Sequence, residues 1–177
     1  MTERSPLFNR AVPAGDTRER MVCNDCGFIA YENPKVVVGA VVTFGDQLLL
    51  CRRAISPRKG FWTIPAGYLE LNEAAHEGAM REAWEEARAA IALDRLLAVY
   101  NVPKLSQVQL IWRASLAAPE FGVGPESEEV RLFAWDEIPW RDLAFPSVHW
   151  ALHHWHEVRG QAEFSARGNP PGETGEH

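Results

Sequence analysis

Two kinds of hydrophobic spacing follow one another along the chain. The apolar runs "KVVVGAVVTF" and "DQLLLCRRA" are split by Gly45 and Asp46, which predicts two buried strands joined as a hairpin. "GFWTIPAGYL" keeps the β-rich character, but Pro65 cannot donate to a ladder and Gly67 relaxes the backbone, so a strand should give way to a loop. The period then lengthens. Ala75, Ala79, Met80, Ala83, Trp84 and Ala87 recur every three or four positions, which predicts a helix with that apolar side and with Asn72 as its N-cap. Alternation returns in "LLAVYNVP", "QVQLIWRASLA" and "VRLFAWDEI", which predict strands, and "SVHWALHHWHEVRG" predicts a second helix. The order implies an α+β class, with no internal repeat and no linker dividing large domains.

Composition narrows this only slightly. The 177 residues suit one well-packed core, and 46% hydrophobic with 24% charged residues is ordinary for a soluble globular protein. A net charge of −6 disfavours a nucleic-acid polymer as partner, so a phosphate ligand would need local basic residues or bound cations. No run is long enough to span a membrane, and "MTERSPLFNR" lacks the apolar centre of a secretory signal, so a cytoplasmic protein is expected. The polar opening to about Arg20 and the ending "ARGNPPGETGEH" should carry no chemistry, the latter having the composition of a disordered tail.

The predicted helix crowds Glu82, Glu85 and Glu86 into adjoining parts of one face. Like charges at this spacing cost a few tenths of a kcal/mol per pair. Arg81 can answer Glu85 or Glu77, but Glu82 and Glu86 have no basic residue four positions away. Either the face is simply solvated, or a hard divalent cation such as Mg²⁺ or Mn²⁺ neutralises it, since these ions prefer oxygen ligands and bridge proteins to substrate phosphates.

The flanking residues favour the cation. Gly67, five residues, Glu73, seven residues and then Arg81-Glu82-Ala83-Trp84-Glu85-Glu86 closely resemble the signature box of the Nudix hydrolase family. Arg88 stands where that family usually has glycine, and Ala83 and Ala89 are smaller than its usual aliphatic residues. If position 88 needs a positive φ, arginine there costs about 1 kcal/mol; otherwise the helix runs on. The resemblance implies an α/β/α sandwich with a mixed sheet that hydrolyses a nucleoside diphosphate linked to another group, using Mg²⁺ or Mn²⁺ to polarise the diphosphate and an attacking water. It implies that Glu82, Glu85 and Glu86 are metal ligands, with the carbonyl of Ala66 as a further ligand. Arg81 would orient the glutamates together with Glu73. A downstream acidic residue often completes such sites, and "GPESEEVRLF" offers Glu126 first and Glu129 next, Glu128 lying between them.

"RERMVCNDCGFIAYENPKVVVGAVV" and "GPESEEVRLFAWDEIPWRDLAFPS" further resemble a Nudix subgroup with an N-terminal zinc ribbon, whose members hydrolyse ADP-ribose, FAD and related dinucleotides such as NADH. The likeness runs from about Ala14 to Gly160. It implies a zinc-ribbon-like segment over 1–34, a hydrolase domain over 35–160 and a disordered tail over 161–177. The ribbon normally carries two Cys-x-x-Cys pairs, but only Cys23 and Cys26 are present. A closed structural zinc site takes four protein ligands, so the expectation is an empty remnant unless histidines, Cys51 or a second subunit supply the rest. The histidines of "HWALHHWHE" are expected on a helix of mixed face. For substrate, Arg52 and Arg53 could meet phosphate, while Trp62, Tyr68, Tyr100 and Phe145 could stack on rings; core packing and surface charge are the competing roles. Homodimerisation is common in the family, but no interface is visible in the sequence. Two other functions compete with cleavage of dinucleotides: cleansing of nucleoside triphosphates with the same box, and nucleotide sensing without turnover.

Overall fold

A computed structural model describes residues 7–175. The chain forms two units, the first ending at Pro34 and the second beginning at Lys35. In the first, β1 (Phe8–Ala11), β2 (Arg20–Cys23) and β3 (Ile29–Ala30) form an antiparallel sheet in that order, so the polar opening contributes a strand. The turn between β2 and β3 is closed by the Cys23 N–H, which donates to the Phe28 carbonyl at 2.8 Å, and Gly27 takes a φ of 73°, where a side chain would be strained.

The second unit is built on β4 (Lys35–Phe44) and β5 (Gln47–Arg53), whose hairpin turns at Gly45 and Asp46. Short β6 (Trp62–Thr63) and β7 (Ala66–Tyr68) follow, then α1 (Ala75–Ala87), β8 (Ile91–Val102), β9 (Gln107–Leu116), β10 (Ser127–Phe133) and α2 (Pro146–Val158). The sheet order is β10-β5-β4-β9-β8, with β6 on β5 and β7 on β4. β4 and β9 run parallel and the other pairs antiparallel, which makes the sheet mixed.

Period-two alternation sends neighbouring residues of the central strands to opposite faces, and both faces are covered. Val41, Leu48 and Leu50 join a core with Trp150, Leu152 and Trp155 of α2. Ala40, Val42, Leu49 and Cys51 join another with Ala83 and Ala87 of α1. Two covered faces explain why β4 and β5 read as unbroken apolar runs instead of alternating ones. Tyr100 is among the largest fully buried side chains, and its hydroxyl lies 2.8 Å from His154 Nδ1 on α2. No described helix is long and apolar enough to cross a membrane.

The start and the faces of α1 differ from the sequence expectation. Its N-cap is Ala74, not Asn72, which sits in the preceding turn at a φ of 63°. Carboxylates take over the capping: Glu77 accepts from the Ala74 N–H at 3.0 Å and Glu73 from the Glu70 N–H at 3.1 Å. Met80 and Trp84 are exposed, while Gly78, Ala79, Ala83 and Ala87 are buried. A stripe of glycine and alanine lets the helix backbone approach the sheet closely, and the bulkier residues are turned outward. Arg88 ends the helix in the left-handed region at φ 49°, so the position does require what glycine supplies most easily.

The C-terminal stretch is also corrected. Residues 161–175 are not a free tail. Phe164 packs on the core beneath α2, and the Arg113 guanidinium lies 4.7 Å from its ring. The Val99 N–H donates to the Arg167 carbonyl and the Arg167 N–H to the Leu97 carbonyl, both at 2.9 Å. Asn169 exchanges two 2.8 Å hydrogen bonds with the backbone of Asn101. The cause lies in β8, an edge strand whose outward N–H and C=O groups offer partners that a composition rich in Pro and Gly can still satisfy.

Candidate functional site

The acidic face of α1 meets β7 and the loop ahead of the helix. Gly67 lies directly under the Glu82 carboxylate, and a Cβ there would overlap it, so a side chain at 67 would push that carboxylate out of its present position. Arg81 organises the group. Its Nε donates to Glu73 Oε1 at 2.8 Å, Nη1 to Glu82 Oε1 at 2.7 Å and to Glu85 Oε2 at 3.1 Å, and Nη2 to the Tyr68 carbonyl at 2.9 Å. Glu77 is engaged elsewhere, at the N-cap. These charge-assisted bonds hold the Glu73 carboxyl below its usual range, chiefly through the bond from Arg81.

Glu82 and Glu86 are buried, at 8% and 6% exposure, whereas Glu85 lies on the surface. Glu86 is fixed by the Ala66 N–H, which donates to its Oε2 at 3.0 Å. Burial pushes its carboxyl up to about 8, the Ala66 bond and the Arg53 charge opposing, with Glu82 and Glu126 adding repulsion. Glu82 is also raised, first by burial, with Arg81 opposing and Glu85 and Glu126 reinforcing. This is a surplus of negative charge in a place that water reaches poorly.

Among the described residues no three acidic, histidine or cysteine side chains close around a single point. Arg81 takes up the space between Glu82 and Glu85 instead. The Glu85 carboxylate is 53% exposed, and an exposed pair of this kind contributes about 0–1 kcal/mol, so it can exchange Arg81 for another cation at little cost. The donor chemistry is entirely oxygen, which fits a hard divalent ion. Glu86, with one N–H donor and two carboxylates nearby, is the group that such an ion would relieve most.

The downstream acids separate. Glu129 is held by Arg52 at 3.2 Å, a structural pair between β10 and β5, while Glu126 acts electrostatically on both Glu82 and Glu86. Arg53 donates to the Pro57 carbonyl at 2.9 Å and lies 5.3 Å from the Phe145 ring, with its charge felt at Glu86. Tyr68 is 49% exposed, backed by the Lys35 ammonium at 5.1 Å, and its hydroxyl accepts from Gln107 Nε2 at 3.3 Å.

Two expected ring-stacking residues do not fit that role. Trp62 is 8% exposed and packs edge-on against Phe133, with Arg52 on its face at 6.0 Å. Tyr100 has no exposed face and makes a T-shaped contact with Trp150. Both are large aromatics at strand positions that point into the core beneath α2. The contacts of Lys35 and Gln107 with Tyr68 and the close approach of Gly124 to the end of α1 were missed, because nothing in the local pattern ties these residues to partners distant in the chain.

Of the cysteines, Cys23 is buried and Cys26 exposed, in a turn where the Gly27 N–H donates to the Cys23 carbonyl at 3.0 Å. Backbone N–H groups of Cys26 and then Asp25 hold the Cys23 thiol below its usual range. Cys51 is a core residue under α1, at 1% exposure, with its thiol driven upward by burial, so it is no candidate for an additional ligand. The α2 histidines serve an aromatic cluster: His156 stacks on Trp135 at 3.9 Å and His153 on Trp140 at 4.8 Å.

A model of the NUDIX domain matches residues 33–156, and one described as Nudix N-terminal, of the zinc-ribbon type, matches residues 6–32. The chain is similar to a crystallised NUDIX hydrolase from Nitrosomonas europaea, with a TM-score of 0.86 and 44% identity over 92% of this chain and 93% of that one. It is 27% identical to an ADP-ribose pyrophosphatase from Methanocaldococcus jannaschii, over 65% of this chain and 69% of the relative. It is 34% identical to the NAD-capped RNA hydrolase NudC from Stutzerimonas stutzeri, over 76% of this chain but only 47% of that relative's length, so it spans about half of such a protein. The matched span takes in the mixed sheet and the acidic helix, and the chain belongs to the Nudix hydrolase family.

Proposed function

We propose that the protein is a Mg²⁺- or Mn²⁺-dependent pyrophosphatase that cleaves the diphosphate of ADP-ribose or a related dinucleotide, FAD or NADH, into AMP and the other phosphorylated half. The observation that carries the reading is Glu86, a carboxylate buried beside Glu82 and Glu126 with the Ala66 N–H as its hydrogen-bond donor. The substrate class is supported by the two relatives above, named for ADP-ribose and for an NAD cap, since both compounds contain an adenosine diphosphate.

Glu82, Glu85, Glu86 and the Ala66 carbonyl would hold the divalent ion. When bound, the ion supplies charge neutralisation of the diphosphate and acidifies a water molecule. The chain's own residues do the rest. Arg81 fixes the Glu82 and Glu85 carboxylates in place. The Ala66 N–H sets the direction of Glu86. Glu126 takes up the proton of the attacking water, with Glu129 as the second candidate. Arg53 attracts a phosphate, and the exposed ring of Tyr68 offers a face to a base.

The test is product analysis after incubation with Mg²⁺ and, separately, ADP-ribose, FAD, NADH, NAD-capped RNA and nucleoside triphosphates. AMP released from a dinucleotide supports the reading. Pyrophosphate released only from a triphosphate replaces it with nucleotide cleansing. Tight binding without turnover of any of them makes the protein a sensor.

A further inference from the structure

Between β9 and β10 the chain must return from the far end of the sheet to deliver Glu126 to the acidic helix. It does so along the C-terminus of α1. The Gly122 N–H donates to the Ala87 carbonyl at 2.7 Å and the Gly124 N–H to the Glu86 carbonyl at 3.0 Å, so the loop satisfies two carbonyls that a helix end leaves open. Two residues later, the Glu126 carbonyl accepts from the Ala54 N–H at 2.8 Å, and the Ser127 N–H closes a turn on the Gly124 carbonyl at 3.1 Å. Glu126 is therefore held at its own carbonyl by Ala54, just past β5, and follows two residues after the bond from Gly124 to the helix that carries the other glutamates.

The two glycines differ in what they tolerate. A Cβ on Gly122 would meet nothing nearer than the Arg88 Cβ at 3.9 Å. A Cβ on Gly124 would overlap the Glu85 carbonyl oxygen and come within 2.8 Å and 2.9 Å of the carbonyl carbons of Glu85 and Glu86. Those atoms belong to the helix backbone and cannot swing aside. Gly124 has no left-handed φ, so the requirement is one of space alone.

We propose that Gly124 is a positioning residue for the acidic site: its missing side chain lets the 118–126 loop lie against the end of α1 and so holds Glu126 beside Glu82 and Glu86. The inference rests on the pyrophosphatase reading for the role of Glu126, and on the close approach for that of Gly124.

The experiment compares wild type with Gly124→Ala, Gly122→Ala, Glu126→Gln and the double variant Gly124→Ala/Glu126→Gln. Mn²⁺ affinity is read by titration calorimetry on chelator-treated protein, and kcat and KM on whichever substrate the wild type cleaves. Gly124→Ala and Glu126→Gln should each lose about 10–100-fold in Mn²⁺ affinity or kcat, the range found for groups that orient metal ligands, with KM nearly unchanged. Gly122→Ala should match wild type, and the double variant should be no worse than Glu126→Gln. Wild-type behaviour of Gly124→Ala, or losses that multiply in the double variant, would overturn the proposal. Should Gly124→Ala fail to fold, one glycine inserted between Pro125 and Glu126 leaves the bonds from Gly122 and Gly124 to the helix end in place while lengthening the Gly124–Ser127 turn, and so displaces Glu126. It should then reproduce Glu126→Gln, and wild-type behaviour would count against the proposal. A silent Glu126→Gln removes Glu126 and this inference together, whereas a wild type that cleaves no dinucleotide yet shows the Mn²⁺ differences removes only the substrate reading.

Discussion

Burying a carboxylate beside other carboxylates costs free energy, and Glu86 bears most of that cost. Its carboxyl is pushed up to about 8 in the fold, from an ordinary value of 4.5. Between these values the metal-free native state holds a proton that the unfolded chain has lost, so stability falls as pH rises and the full penalty is present above about 8. Glu86→Gln should therefore melt like wild type near pH 4.5 but at a higher temperature at pH 8.5 in chelator. It should also lose about 10²–10³-fold in kcat with Mg²⁺ present, the scale of removing one preorganised charged group. Equal melting temperatures at pH 8.5, by calorimetry, would mean that the carboxylate is better solvated than its surroundings indicate. Arg88 is a second costly residue, held at φ 49°. Arg88→Gly should stabilise the protein by about 1 kcal/mol, or roughly 2–4 °C in a chain of this size. The crowding of Glu82, Glu85 and Glu86 was legible in the sequence because helical spacing alone sets it. The family likeness implied only the Ala66 carbonyl as a metal ligand, and the bond from its N–H to Glu86 was not legible, since it crosses the packing of β7 on α1.

At the level of elements, the acidic helix was identified correctly but its outward face was not. Met80 and Trp84 obey the same periodicity as Ala79 and Ala83, and hydrophobicity alone favours burying the larger pair. What decides is distance. The Gly78, Ala79, Ala83 and Ala87 stripe seats the helix close to Ala40 and Val42, and a bulky side chain there would force the helix away. Ala83→Leu should accordingly destabilise the fold by about 1–3 kcal/mol in denaturant melts. It should also lower activity more than stability, because the displaced helix carries Glu82 and Glu86. Loss of stability with unchanged kcat would show that the helix and its glutamates move as one with β7. The long strands of the second unit were legible from their apolar runs, although β8 proved longer than "LLAVYNVP", whereas the short β1, β2 and β3 were not anticipated. The extra residues at its start, "IALDR", alternate too weakly to stand out, and are held by pairing with β9.

For the whole molecule, the division at Pro34 leaves the N-terminal unit with two cysteines in a turn shaped by Gly27. A structural zinc site takes four ligands, so elemental analysis of protein purified without chelator should find well under one zinc per chain. Stoichiometric zinc would point to ligands from outside the described unit. Residues 161–175 were the least legible part. Their Pro and Gly content is that of a tail, and their anchors, the open edge of β8 and the core surface under Phe164, are assembled from distant sequence. The parallel pairing of β4 with β9 has a consequence for synthesis. Val38 meets Leu110, so the ribosome releases the whole acidic helix before its central scaffold strand has a neighbour on that side. The nascent chain thus carries its crowded glutamates for a time beside β7 but with one side of β4 still open, and the site lacks Glu126 until the loop after β9 has been made.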